Sequence, residues 1–274
     1  ARASTMTVVA TSRKWMSTIS LAISNIMAYK FNFISMIVVP PIIFLFIKLN
    51  VWDAIYTARG GVSIAGFDKY SMFQYQAWVL LVTLIGQSYV GAKMAEDIHL
   101  GRMSAYLVYP FNFWSFHFCA FLGQQIIQIF IFTFSWIVLE ACGILTISSL
   151  SNWILGFCVC FSVSVVWFFF QSIVALFAFW IEEVWVLRAC LFIIAQFASG
   201  AVFPLTLFPE FVQSLLRLTP FPYIIYYPAQ IFMGTNTTPA IYIFTMLSVW
   251  ALALWLIGRM IWNRGMKEYS GAGI

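Results

Sequence analysis

The stretch WILGFCVCFSVSVVWFFFQSIVALFAFW, residues 153–180, contains no Asp, Glu, Lys or Arg, and Glu182 and Glu183 follow it almost at once. A helix needs about 20 apolar residues to cross a hydrocarbon core of about 30 Å, so this run reads as a membrane span. Working outward under the same criterion gives five more windows, at 31–52, 72–94, 113–139, 184–203 and 239–262, each bounded by charge, Gly or Pro. Pro40 and Pro41 inside the first window predict a kink. Windows 72–94 and 113–139 are long enough to predict tilt. Only a few residues separate 153–180 from 184–203, which predicts a tight helical hairpin.

The composition agrees. Of 274 residues, 63% are apolar, 19% aromatic and only 8% charged, more apolar surface than one globular core can bury. A soluble enzyme is excluded on that ground. The net charge of +5 is clustered between apolar runs and not spread over one solvated face, which excludes a nucleic-acid-binding domain. The five cysteines, Cys119, Cys142, Cys158, Cys160 and Cys190, fall mostly inside apolar runs and read as packing residues, since the Cys158/Cys160 spacing suits neither a CxxC pair nor a zinc knuckle.

Lys and Arg near helix ends stay preferentially in the cytoplasm, and the 14 basic residues divide unevenly. Arg2, Arg13, Lys14, Lys30, Lys93, Arg102, Arg188, Arg259, Arg264 and Lys267 fall on one side, and Lys48, Arg59, Lys69 and Arg217 on the other. Both termini are therefore expected in the cytoplasm, and six crossings satisfy that condition. Ahead of the first span, Trp15, Ile19, Ile23 and Ile26 recur at helical spacing with Ser17, Ser20 and Ser24 on another face, which predicts an amphipathic interfacial helix within residues 1–30 rather than a signal peptide. The sequence opens on Ala1 instead of Met, which leaves open what precedes it.

Beyond the fifth window, Pro204, Pro209, Pro220, Pro222 and Pro228 rule out one straight helix. Between Pro209 and Pro220, Phe211, Leu215 and Leu218 share a face, predicting a short helix at the outer interface. Tyr223, Tyr226 and Tyr227 suit either the headgroup zone or a second short helix dipping back into protein. The loop at 53–71, with Gly60, Gly61 and Gly66, reads as irregular.

No GxxxxGK[ST] nucleotide loop, HExxH or GxSxG occurs. Two histidines, His99 and His117, cannot build a multi-histidine metal site, and both read as solvated or interfacial. A transporter without a nucleotide site draws its energy from a partner or an ion gradient. Mid-span positions nearly free of charge favour the partner, because ion-driven carriers place ionisable groups there. Amides remain inside the spans, among them Gln74, Gln87, Gln124, Gln128 and Gln196. They either line a route or bond between packed helices, at about 1 kcal/mol each. Glu182 and Glu183 are read as a solvated pair, bonded to Arg188 or to a partner, and most tryptophans as interface anchors.

Four passages carry a family resemblance: AEDIHLGRMSAYLVYP at 95–110, FWIEEVW at 179–185, SGAVFPL at 199–205 with LFPE at 207–210, and LTPFPYIIYYPAQ at 218–230. In order and spacing they resemble ABC-2 type permeases of the six-helix exporter branch. The resemblance implies an all-α polytopic fold with six transmembrane helices over 31–274, a bacterial-type inner membrane, and short outer re-entrant helices within 204–234. It implies a coupling segment at 96–109, where Glu96, Asp97, Leu100, Gly101, Arg102, Leu107, Val108 and Tyr109 meet a separate ABC ATPase subunit carrying ATP and Mg. It further implies a second permease, identical or paralogous, and an amphipathic or lipid-like substrate moved outward, with no cofactor on this chain. The competing readings are a membrane-embedded lipid-modifying enzyme and a gated channel or scaffold.

Overall fold

Residues 153–180 form most of the helix around which the others assemble. In a computed structural model, which describes the backbone of residues 2–108, 112–146 and 149–269 and the side chains of 13–106, 112–146 and 149–269, this helix is α8 (Leu150–Leu176). Ser149 caps it by accepting a hydrogen bond from the Asn152 amide, and a 3-10 turn, Phe177–Phe179, ends it. The elements before it are α1 (Arg2–Ala28), α2 (Lys30–Ile37), α3 (Val39–Ala58), α4 (Lys69–Gly86), α5 (Val90–His99), α6 (Ala105–Val108) and α7 (Phe113–Ala141). After it come α9 (Val184–Ala198), α10 (Glu210–Arg217), α11 (Phe221–Ile224), α12 (Tyr226–Met233) and α13 (Ala240–Glu268). The described residues are helical with no strand. Helices α4, α5, α9, α12 and α13 all pack on α8.

Among the described residues, five stretches are long and apolar enough to cross a membrane: Lys30–Ala58, Lys69–His99, Phe113–Ala141, Leu150–Phe179 and Ala240–Glu268. Helix α9 is apolar but shorter, at 15 residues, because Gly200 takes a left-handed turn (φ +84°) that suits glycine and closes it early. The window at 184–203 is thus shorter as a helix than the sequence predicts. The prolines of the first window do interrupt the helix, and the break falls at Val38. Pro40 and Pro41 then sit in the first turn of α3, where a missing N–H leaves no bond unmade.

Helix α7 runs antiparallel to α8, whereas α13 runs parallel to it. Phe118 of α7 meets Phe168 of α8, and Trp136 near the other end of α7 meets Trp153. Gly258 and Gly265 of α13 approach Ile173 and Phe179. One end of the bundle therefore gathers the loop at 59–68 and residues 142–146 with the segment 199–239, and the other gathers 99–108, 180–183 and the end of α13. Helix α1 lays its predicted face on α7: Trp15 packs on Phe118 at 6.3 Å, and a Cβ on Gly123 would stand 3.0 Å from Ala22. Ser17, Ser20 and Ser24 are exposed, as their spacing predicts.

The proline-rich segment supplies part of the core. Phe232 of α12 stacks on Trp78 at 4.6 Å and an interplanar angle of 3°, and fits over Gly156, where a Cβ would lie 2.5 Å from the ring. Tyr223, Tyr226 and Tyr227 are buried against the neighbouring helices. Phe211, Leu215 and Leu218, in and just after α10, are exposed along one face.

Candidate functional site

The second apolar window does not form one helix. Its hydrogen-bond ladder stops at Gly86 and restarts at Val90, leaving residues 87–89 unwound between α4 and α5. Free peptide groups inside a bundle are costly unless side chains satisfy them, and α7 supplies those side chains. Gln128 donates from Nε2 to the Gln87 carbonyl at 2.8 Å and accepts from Gln125 at 2.8 Å, while Gln124 Oε1 accepts from the Tyr89 amide at 3.3 Å. The Tyr89 hydroxyl closes the local network on Gln87 Oε1 at 3.0 Å.

The unwound residues border two cavities. One, of about 230 Å³, lies between α2, α3, α4 and α9 and takes its polar lining from Lys48, Gln76, Thr83, Gln87, Tyr89 and Gln196. The other, of about 260 Å³, lies between α8 and α9 and includes Gln171 and Arg188. Gln87, Tyr89 and Phe192 line both. Above the first cavity, the turn at 199–202 is fixed by Tyr75, whose hydroxyl donates to the Gly200 carbonyl at 2.7 Å, and by the Tyr226 amide, which donates to the Ser199 carbonyl at 3.1 Å. Lys48 Nζ donates to the Ala201 carbonyl at 2.7 Å.

A second polar constellation occupies the His99 end. Gly101 takes φ +68°, which only glycine adopts without strain, and turns the chain back so that Arg102 and Tyr106 face α5. Arg102 Nη1 reaches Glu96 at 3.1 Å and Asp97 Oδ1 at 3.5 Å, Lys93 reaches the same two carboxylates at 3.2 and 3.6 Å, and Tyr106 donates to Asp97 Oδ2 at 2.6 Å. His117 of α7 is fully buried with Nε2 3.4 Å from Asp97 Oδ2, within ion-pair reach but without hydrogen-bond geometry. On the outward side, Leu100 is 50% exposed, and Glu96 and Arg102 are about half exposed.

Residues 42–273 match the family described as ABC-2 family transporter protein. The chain belongs to this family. No curated protein matches it. The matched region begins inside α3 and leaves α1 and α2 outside it. This ABC-2 transporter chain is a multi-pass membrane protein of a transport family, and the unwound residues 87–89 fall inside the matched region.

The residues singled out in the sequence separate into groups. In the ABC-2 chain, Gln87 and Gln196 line the first cavity, whereas Gln124 and Gln128 bond to the unwound residues. Gln74 is remote, bonded to Thr146 at 2.7 Å near the loop at 142–149. Asp97 faces inward and cannot offer its carboxylate to a partner, because α7 and the returning chain enclose it. His117 is likewise buried, not interfacial, while His99 is exposed. Tyr109 lies outside the described residues, as do the side chains of Leu107 and Val108. Arg188 bonds to Gln171 at 3.4 Å, and Glu183 instead accepts the Trp185 indole N–H. Lys48 was counted among the outer basic residues, near the Asp53 end of the first span, so charge counting did not mark it as facing a cavity. An isolated lysine ten positions into an apolar helix was the signal available.

Proposed function

We propose that the chain is the permease subunit of an ATP-binding-cassette exporter, moving an amphipathic or lipid-like molecule outward from the cytoplasm or inner leaflet. The observation that carries this reading is the unwound segment 87–89 opening onto two adjoining cavities. Irregular backbone at membrane depth is tolerated where it lines a pathway, and transporters use it there. With no nucleotide loop in the sequence, ATP and Mg belong to a separate ATPase subunit that docks on the segment 96–109. The turn at Gly101, with exposed Leu100 beside half-exposed Glu96 and Arg102, supplies an apolar knob ringed by charge, which suits a docking element.

The proposed permease crosses a bacterial-type inner membrane six times, with both termini cytoplasmic. Helix α9 at 1.5 Å per residue covers about 22 Å, and the turn at 199–202 carries the chain on to the level of Tyr75, so together they can serve as the sixth crossing. Residues 1–30 act as the interfacial helix, 31–274 as the transmembrane domain, and 204–234 as the outer re-entrant segment. The exposed faces of α3 and α9 form the seam with a second permease, identical or paralogous. A lipid-modifying enzyme is less well supported, because the one buried acid–histidine pair, Asp97 with His117, is enclosed and faces no cavity described above.

Affinity purification of the chain from its native membrane tests this. An ATP-binding subunit should co-purify and carry all of the ATPase activity. Hydrolysis by the purified chain alone would overturn the reading.

A further inference from the structure

The two cavities beside the unwound segment share Gln87, Tyr89 and Phe192, so they lie side by side as two lobes of a cleft, each lobe lined by one cation. Lys48 lines the lobe toward the turn at 199–202, and Arg188 the lobe toward the hairpin at 180–183. Among the described residues neither has a carboxylate partner: Lys48 holds the Ala201 carbonyl and Arg188 the Gln171 amide oxygen. Lys69, Lys93 and Arg102, by contrast, each hold an acid. A cation kept in an apolar helix bundle is costly, and it is a functional group by default where it faces a cavity.

Lys48 is not needed as a structural tie, since Tyr75 and Tyr226 already hold the turn it touches. Nor does the neighbouring acid on its own helix, Asp53, serve it, because Asp53 is paired with Lys69. The remaining lining divides chemically. Pro40, Phe44 and Leu80 give an apolar wall, and Gln76 and Gln196 add side-chain amides to the same lining as the lysine, Gln76 donating to the Val202 carbonyl at 3.5 Å. An ammonium with amides in one lobe, a guanidinium in the other and an apolar wall match a molecule with an anionic head and an apolar chain.

We propose that this cleft binds acidic amphipaths, with Arg188 and Lys48 as successive sites for a carboxylate or phosphate head. This rests on the permease reading and names its substrate class. Binding to Lys48 exchanges the neutral Ala201 carbonyl for an anion, a stronger acceptor for an ammonium donor.

The test uses the full-length chain in phosphatidylcholine nanodiscs, with cis-parinaric acid as the fluorescent probe and its methyl ester as the uncharged control. The acid should bind roughly tenfold or more tightly than the ester, the worth of a charge-assisted bond. Lys48→Gln and Arg188→Gln should each reduce that preference, the double variant should abolish it, and Lys48→Arg should keep it. Adding phosphatidylglycerol to the discs separates two sources of the same chemistry: competition identifies a bilayer lipid as occupant, and indifference a single-chain amphipath. Equal binding of acid and ester by the wild-type chain would overturn the proposal, as would a folded double variant with the full preference. Should the variants not fold, photolabelling of the wild-type chain with a diazirine-bearing fatty acid decides: the label should map to α3 and α9 around Lys48 and Arg188, and label elsewhere would overturn it. Failure here with an ATPase subunit still co-purifying would leave the permease reading standing.

Discussion

Tyr106 places its phenolic oxygen 2.6 Å from Asp97 Oδ2, so the chain returning from the Gly101 turn is bonded to the helix it has just left. Asp97 is 2% exposed, and its other oxygen faces Lys93 and Arg102. The acid therefore sets the shape of the projecting turn, and Leu100 is what the turn offers outward.

Replacing Tyr106 by Phe removes that bond and little volume. A hydrogen bond to a charged group contributes about 1.5–3 kcal/mol, so amide exchange across 100–106 should speed up roughly tenfold or more, with the rest of the bundle unchanged. Hydrogen–deuterium exchange with peptide-level mass spectrometry measures this. Unchanged exchange in that segment would mean the turn is held by other contacts.

Gln128→Leu leaves the Gln87 carbonyl without its donor and Gln125 without its acceptor. Stranding buried polar groups costs about 1–3 kcal/mol each, so the thermal unfolding midpoint in nanodiscs should fall by several degrees. Gln74→Leu, made at an exposed site, should stay within about 0.5 kcal/mol of the parent. Equal effects of the two would contradict the role given to Gln128.

Glycines of this chain separate into two kinds. A Cβ on Gly91 would lie 2.8 Å from both the carbonyl oxygen and the Cβ of Gln171, so Gly91→Ala pushes α5 off α8 and should destabilise by about 1–3 kcal/mol, lowering folded yield. At Gly258 the nearest atom would be Ile173 Cγ1 at 3.7 Å, and Gly258→Ala should be neutral or stabilising through helix propensity. Fluorescence-detected size-exclusion profiles of the two variants provide the comparison.

Much of this was legible in the sequence. Uncharged apolar runs marked the long helices, and the spacing of Trp15, Ile19, Ile23 and Ile26 marked the face of α1. The break at 87–89 was not, because hydropathy averaged over 72–94 hides three residues, and the groups that make the break affordable, Gln124 and Gln128, come from another helix. Burial of Asp97 and His117 was hidden for the same reason: Asp97 is met by Tyr106, Lys93 and Arg102 from beyond its own turn of helix, and its place beside His117 depends on α5 packing against α7. Lys48 was visible as a charge, but its direction toward the cleft depends on the turn at 199–202.

The orientation proposed from the basic residues is open to direct measurement. Single cysteines in a cysteine-free background at Gly61 and Gln213 should react with an impermeant maleimide on intact cells, and His99→Cys only after permeabilisation. Labelling of His99→Cys on intact cells would reverse the topology and place the Gly101 turn where no ATPase could reach it.

The central claim, that this permease takes its energy from a separate ATPase at the Gly101 turn, is tested most directly at Leu100. Leu100→Asp puts a charge on a half-exposed side chain outside the packed bundle, so insertion and folding should be preserved. Desolvated apolar contacts at an interface centre commonly contribute about 1–2 kcal/mol or more, and a buried unpaired carboxylate adds to that loss. Blue-native electrophoresis of the variant complex, with ATPase assays in the reconstituted system, should show the ATPase subunit lost or its hydrolysis uncoupled from transport by about tenfold or more. A Leu100→Asp complex that stays intact and couples at the parent rate would contradict the account.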